Sequence, residues 1–180
     1  MTLLSTAVRA THLVTNAAWF GGSLMAAVAL HPAAKRADRE ADRTEVVSVG
    51  WERWGPVQGS AIGLHLLTGL AIIADNRHRV AAHGPTRAAS AVKTALTAAA
   101  LGATAWAYLD GHRSGELAGD EGTERPRTAE EEAQLRRLQS RLRWLQWATP
   151  ALTGAVLVTD AYLGEQQRGP AGLLDRPFGR

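Results

Sequence analysis

Four Ala- and Gly-rich apolar stretches, Thr11 to Leu30, Pro56 to Ala74, Ala88 to Leu109 and Leu145 to Leu163, dominate the chain. Each has about the length a helix needs to cross a hydrocarbon core of ~30 Å. The mean hydropathy of -0.13 averages over two different populations, because charge is segregated along the sequence. Leu13 to Leu30 and Pro56 to Ala74 carry no charge, whereas Lys35 to Glu52 and Asp110 to Arg143 hold most of the Arg, Asp and Glu. A soluble four-helix bundle would show a charged face at a period near 3.6 along every helix. Here the outward positions hold Ala, Leu, Val and Gly, so the pattern predicts membrane spans joined by wet loops.

The expected fold is all-α: a four-transmembrane-helix bundle in one domain, residues 1–165, with an irregular Gly- and Pro-containing tail at 166–180. Lys35 to Arg43 alternates charge at helical spacing and predicts a short amphipathic loop helix. Pro56 stands where a first helical turn favours proline, so the second span is expected to start there. Gly111 to Arg127, rich in Gly, Glu and Arg, reads as irregular chain. Thr128 and Glu131 have the spacing of a capping box. The helix they start is expected to run through Leu135, Leu138 and Leu142 straight into the fourth span. Arg9 ahead of an apolar run resembles a signal peptide, but the run is too long and His31-Pro32 replaces a small-x-small cleavage site.

The absence of cysteine excludes disulfides, thiolate metal sites and a cysteine nucleophile. A pI near 9.9 accompanies a net charge of only +3, and the loop arginines are interleaved with Asp and Glu. That pattern argues against a nucleic-acid partner. The expected partners are the lipid bilayer and an apolar small molecule, with homo-oligomers allowed. With four spans both termini share one side. Outside the spans, twelve Lys and Arg fall on the side of loops 31–55 and 110–143, against seven on the terminus side. The positive-inside rule then places a multi-pass protein in the cell membrane with those loops cytoplasmic and the termini external.

Ionisable groups inside spans are expensive in lipid and are expected to face one another. His12, Asn16, Asp75, Lys93 and Asp160 all lie toward the terminus side and form the expected buried polar network. Asp160 carries most weight, because a short carboxylate cannot snorkel to water; Lys93 or His12 is its expected partner. Helical phase agrees, since His12, Asn16, Trp19 and Ser23 share one face, Gln58, His65, Thr68 and Asp75 a second, and Gln146, Thr149, Thr153 and Asp160 a third. Aromatic side chains cluster at the opposite end. Trp51, Trp54, Trp106, Tyr108, Trp144 and Trp147 form either an interfacial belt or a mouth that admits a flat apolar ligand. His31 and His65 are the catalytic candidates for such a ligand, and His12, His65 and Asp160 the candidates for haem or a metal ion. No phosphate loop or nucleophile triad can be placed by spacing. Arg136, Arg137, Arg141 and Arg143, just outside the fourth span, suit contact with anionic lipid.

Trp19-Phe20-Gly21-Gly22-Ser23-Leu24 followed by His31-Pro32, and then Trp51-Glu52-Arg53-Trp54-Gly55-Pro56-Val57-Gln58-Gly59, resembles small four-helix membrane proteins of the anthrone-oxygenase-like type. Trp-Phe-Gly-Gly is also similar to the opening helix of copper-resistance D-like proteins. The first resemblance implies cofactor-poor oxygenation of an aromatic polyketide, the second metal or redox handling in the membrane. With no Cys and two Met, a copper path would have few soft ligands. The expected function is therefore a membrane binding or accessory module. The alternative is an oxygenase-like or redox enzyme acting on a flat apolar substrate.

Overall fold

The computed structural model describes residues 3–119 and 128–166. Four long helices and one short one account for nearly all of them, and no strand occurs among the described residues. They are α1 (Leu3–Met25), α2 (Glu40–Asp75), the short α3 (Arg77–Ala82), α4 (Gly84–Gly119) and α5 (Ala129–Gln166). The expected tail beyond 166 lies outside the described residues.

The rod begun by α1 does not stop at Met25. It continues through a π-helical turn, Ala26–Leu30, and a last turn, His31–Ala34. Pro32 accounts for the widening, because its ring would collide with the carbonyl four residues back in a regular helix. An i→i+5 turn, seen in the His31 N–H bonded to the Ala26 carbonyl, gives it room.

Two expectations about the loops are corrected. The charged stretch 35–43 does not form a separate amphipathic helix. Residues after Arg39 join α2, which runs unbroken through Pro56 to Asp75, so that proline lies inside a helix and not at its start. A proline is tolerated there when neighbouring helices cover the freed carbonyl. Likewise α4 continues to Gly119, so its helical pattern outlasts the glycines at 111 and 115.

Capping chemistry is explicit at three helix ends, one of them expected; the third long helix starts at Gly84, ahead of the expected Ala88. The Thr128 backbone N–H donates to Glu131 Oε2 at 2.7 Å, and the Glu131 N–H donates to Thr128 Oγ1 at 3.2 Å, closing the capping box that starts α5. Asn76 closes α2 by donating its side-chain amide to the Ile72 carbonyl at 2.7 Å. At the start of α4, Nδ1 of His83 accepts from the Thr86 hydroxyl at 2.8 Å.

In the bundle α1 packs on α2 and on α5, α5 packs most extensively on α4, and α2 and α4 meet only locally. Four glycines allow close approach, Gly50 against Leu30 among them. The Trp54 indole lies directly on Gly22, Phe20 reaches to 3.1 Å of where a Cβ would stand at Gly154, and His12 does the same at Gly69.

Polar and apolar side chains share the interior, while many large apolar side chains lie on the surface. Buried side chains include His12, Thr15, Asn16, Ser23, Gln58, His65, Thr149 and Thr153, whereas Leu67, Leu70, Val14, Val92 and Val158 are exposed. Two helical rods, Leu3–Ala34 and Asp42–Asp75, are long and apolar enough to cross a membrane. Only 17% of the apolar window of the second is buried against the rest of the chain. A soluble core helix would be mostly covered.

Candidate functional site

The polar faces of the four long helices converge near the terminus end of the bundle. His12 of α1 and His65 of α2 stack at 4.0 Å between ring centroids, with 15° between the ring planes. Nδ1 of His12 donates to the His65 carbonyl at 3.0 Å and lies 3.1 Å from Thr68 Oγ1; Nδ1 of His65 donates to the His12 carbonyl at 3.2 Å. A carbonyl can only accept, so both rings carry their proton on Nδ1 and present Nε2 as an acceptor.

Lys93 of α4 uses that acceptor. Its Nζ donates to His12 Nε2 at 2.6 Å and also to Asp160 Oδ1 of α5. His12 Nε2 and Asp160 Oδ1 are 3.8 Å apart, with the ammonium bridging them. Three helices are thus joined through one cation. An unpaired charge in this position would cost several kcal/mol, which the neighbouring carboxylate and imidazole offset.

Above the histidines the cluster continues along the same face of α1. Trp19, fully buried, meets His65 edge-on at 6.2 Å and donates its Nε1–H to Thr104 Oγ1 of α4 at 3.1 Å. Asn16 lies between His12 and Trp19 and is also fully buried, yet neither its amide nitrogen nor its amide oxygen has a hydrogen-bond partner. Asp160 Oδ2 shares that condition. Buried polar atoms in proteins are nearly always paired, so these three mark unused bonding capacity at the centre of the cluster.

Asp75, expected in the network, is not part of it. Its carboxylate is 68% exposed and lies 3.8 Å from Arg9, because α2 ends there and the side chain turns outward. The aromatic mouth is not assembled either. Trp106, Tyr108, Trp144 and Trp147 are 51–80% exposed, while Trp54 lies against Gly22 and donates to Gln58 Oε1 at 3.0 Å. Trp51 is half-buried. The rotation of α4 and α5 about their axes turns their rings outward.

His31 and His65 do not share a site. His31 donates from Nδ1 to Gln146 Oε1 at 2.9 Å, at the loop end of the bundle. His65 stacks on His12, which lies about 28 Å from His31 along α1 at 1.5 Å per residue.

The histidines are also poorly arranged for the cofactors considered from sequence. Two axial ligands of one haem must flank the macrocycle, whereas these rings lie face to face in van der Waals contact. Both nitrogens of His12 are engaged, and the Lys93 ammonium occupies the position between His12 and Asp160 where a metal ion would sit. Among the described residues no group of three His, Cys, Asp or Glu is disposed to hold a metal ion.

A second buried ion pair, not anticipated from sequence, joins the loop ends of α4 and α5. Asp110 is fully buried and accepts from Arg141 Nε at 2.7 Å and Nη2 at 2.8 Å. The guanidinium also lies 5.6 Å from the Trp106 ring centroid, over one face of the indole, and stays half-exposed. A signal for the pair was present. The antiparallel register that sets Lys93 opposite Asp160 sets Asp110 opposite the segment holding Arg141 and Arg143.

No family model, curated protein or solved structure matches the chain.

Proposed function

We propose that the chain is an integral membrane protein that crosses the bilayer four times, and that it acts as a binding or accessory module through the polar cluster of His12, Asn16, His65, Lys93 and Asp160. The observation that carries this reading is the placement of polarity: an ion-paired cluster inside a bundle whose outer faces expose many large apolar side chains. In water such a surface would associate, whereas in lipid it is the solvated state. α4 and α5 reach the necessary length but are diluted by Lys93 and by the charged first half of α5. Pairing of Lys93 with Asp160 lowers the cost of placing both in the membrane. The unused hydrogen-bonding capacity of Asn16 and Asp160 supports an internal site for a small polar group. Loops 31–55 and 110–143 face the cytoplasm in this reading.

Fractionation tests the first part. The chain should sediment with membranes, resist alkaline carbonate extraction and need detergent; recovery as a monomer from cytosol without detergent overturns it. Asn16→Leu tests the second. If the amide serves a guest and not the fold, the purified variant is more stable by about 1–2 kcal/mol, since an unpaired buried amide is removed. A loss of stability shows instead that Asn16 is a packing element.

A further inference from the structure

We propose that the loop-side groove between α4 and α5 binds the phosphate headgroup of an anionic phospholipid; this rests on the membrane reading above. The groove encloses about 450 Å³ and is lined by Arg113 of α4 and by Arg137, Leu138, Ser140, Arg141 and Trp144 of α5. Its chemistry is layered. Leu138 is buried and forms the floor, Trp144 is 80% exposed and forms one flank, and the arginines supply the charge.

The charge is available. Arg141 is neutralised by Asp110, but Arg113 and Arg137 have no acidic partner among the described residues. Glu132, the nearest carboxylate by helical spacing to the adjacent Arg136, pairs with that residue and leaves Arg137 alone. Two uncompensated guanidiniums on facing helices, with the Ser140 hydroxyl on the groove wall, suit a phosphodiester, whose oxygens accept forked N–H donors.

Position selects lipid over a free anion. Exposed Trp106, Trp144 and Trp147 mark the interfacial level on this end of α4 and α5, so the groove opens where headgroups lie. Below it the exposed apolar sides of the same helices, Leu109 and then Val158 and Val92 toward the other end, offer a track for acyl chains. On the side assigned to the cytoplasm, anionic lipid is the abundant source of phosphate at that depth.

The test uses the full chain purified in detergent, with phosphatidylglycerol, phosphatidylcholine and inorganic phosphate as probes. Bound lipid is counted by native mass spectrometry and thermal unfolding is followed in parallel. Phosphatidylglycerol should be retained and should raise the midpoint, and phosphatidylcholine should do neither. Arg113→Gln and Arg137→Gln should each weaken retention about fivefold and together about 25-fold, the effect expected for loss of one basic residue near an anionic surface. Arg87→Gln, at the other end of α4, should leave retention unchanged. Arg141 is kept, because removing it would strand Asp110. The proposal is overturned if the double variant retains phosphatidylglycerol as the parent does, if phosphatidylcholine binds equally, or if inorganic phosphate alone reproduces the shift. Failure of these outcomes in a protein that fractionates with membranes removes the groove alone, whereas failure to fractionate removes the membrane reading itself.

Discussion

His12 and His65, on different helices, each donate a ring N–H to the other's main-chain carbonyl while their rings stack at 4.0 Å. The exchange fixes both tautomers, and it leaves the Nε2 of His12 as the acceptor that orients Lys93. Polar contacts between helices are worth roughly 1 kcal/mol each inside a membrane, so their value here lies as much in geometry as in energy.

The two histidines should therefore respond unequally to substitution. His65→Phe keeps the stacked ring but removes one hydrogen bond, and should lower stability in detergent by about 1–2 kcal/mol. His12→Phe should cost more, because it also removes the acceptor beside Lys93. Thermal unfolding of the two variants checks the order, and equal losses would show that Lys93 does not depend on His12.

Lys93 and Asp160 should behave as a coupled pair. Lys93→Met or Asp160→Leu alone leaves the other charge buried with only the neutral His12 ring beside it and should destabilise by roughly 3–5 kcal/mol. The double variant should return close to the parent, since an ion pair replaced by apolar groups of similar size is often neutral. A double-mutant cycle measures this; additive losses would mean that the contacts each makes with His12, and not the ion pair, carry the stability.

Gly22 and Gly21 provide a local comparison. A Cβ at residue 22 would overlap the Trp54 indole, whereas nothing lies within 4 Å of one at residue 21. Gly22→Ala should displace Trp54, break its bond to Gln58 and destabilise by about 1–3 kcal/mol. Gly21→Ala should be neutral or stabilising by up to about 1 kcal/mol, the helix-propensity gain. Unfolding midpoints, with Trp emission as the local probe, distinguish the two.

Topology can be read directly. A reporter inserted at Gly119 should be cytoplasmic and one after Arg180 external, following the twelve basic residues on the loop side against seven on the other. The opposite labelling would show that the pairing of loop arginines, and not their number, sets orientation.

The helices and most of their polar faces were legible in the sequence; the outward turn of the aromatic residues on α4 and α5 was not. Apolar runs located all four long helices, and the Thr128 and Glu131 spacing located the start of α5, because capping chemistry is local. Helix ends were harder. Charged residues can continue a helix as well as close it, so Thr44 to Gly55 and Gly111 to Gly119 read as loop although both are helical, and the short helix read at 35–43 is in its later part the start of α2. The partner of Asp160 could be inferred because a short carboxylate must find its cation nearby. Asp110 could not, since an aspartate at the edge of an apolar run resembles a solvated helix end, and only the interhelical register reveals Arg141 across from it. Rotation of α4 and α5 decides whether Trp106, Trp144 and Trp147 enclose a ligand or face outward, and rotation depends on packing between helices distant in sequence.

The ion pairs of Lys93 with Asp160 and of Arg141 with the buried Asp110 both connect α4 to α5. If the chain crosses the membrane four times, as proposed above, α4 arrives there with Lys93 and Asp110 of opposite sign and no counter-ion for either, until α5 brings one for each. Neither helix is comfortable in lipid alone. The two should enter as a single electrically closed hairpin, docking onto α1 and α2, which are apolar enough to precede them. Truncation after Gly119 would then leave α4 stalled at the membrane surface and exposed to quality-control proteolysis.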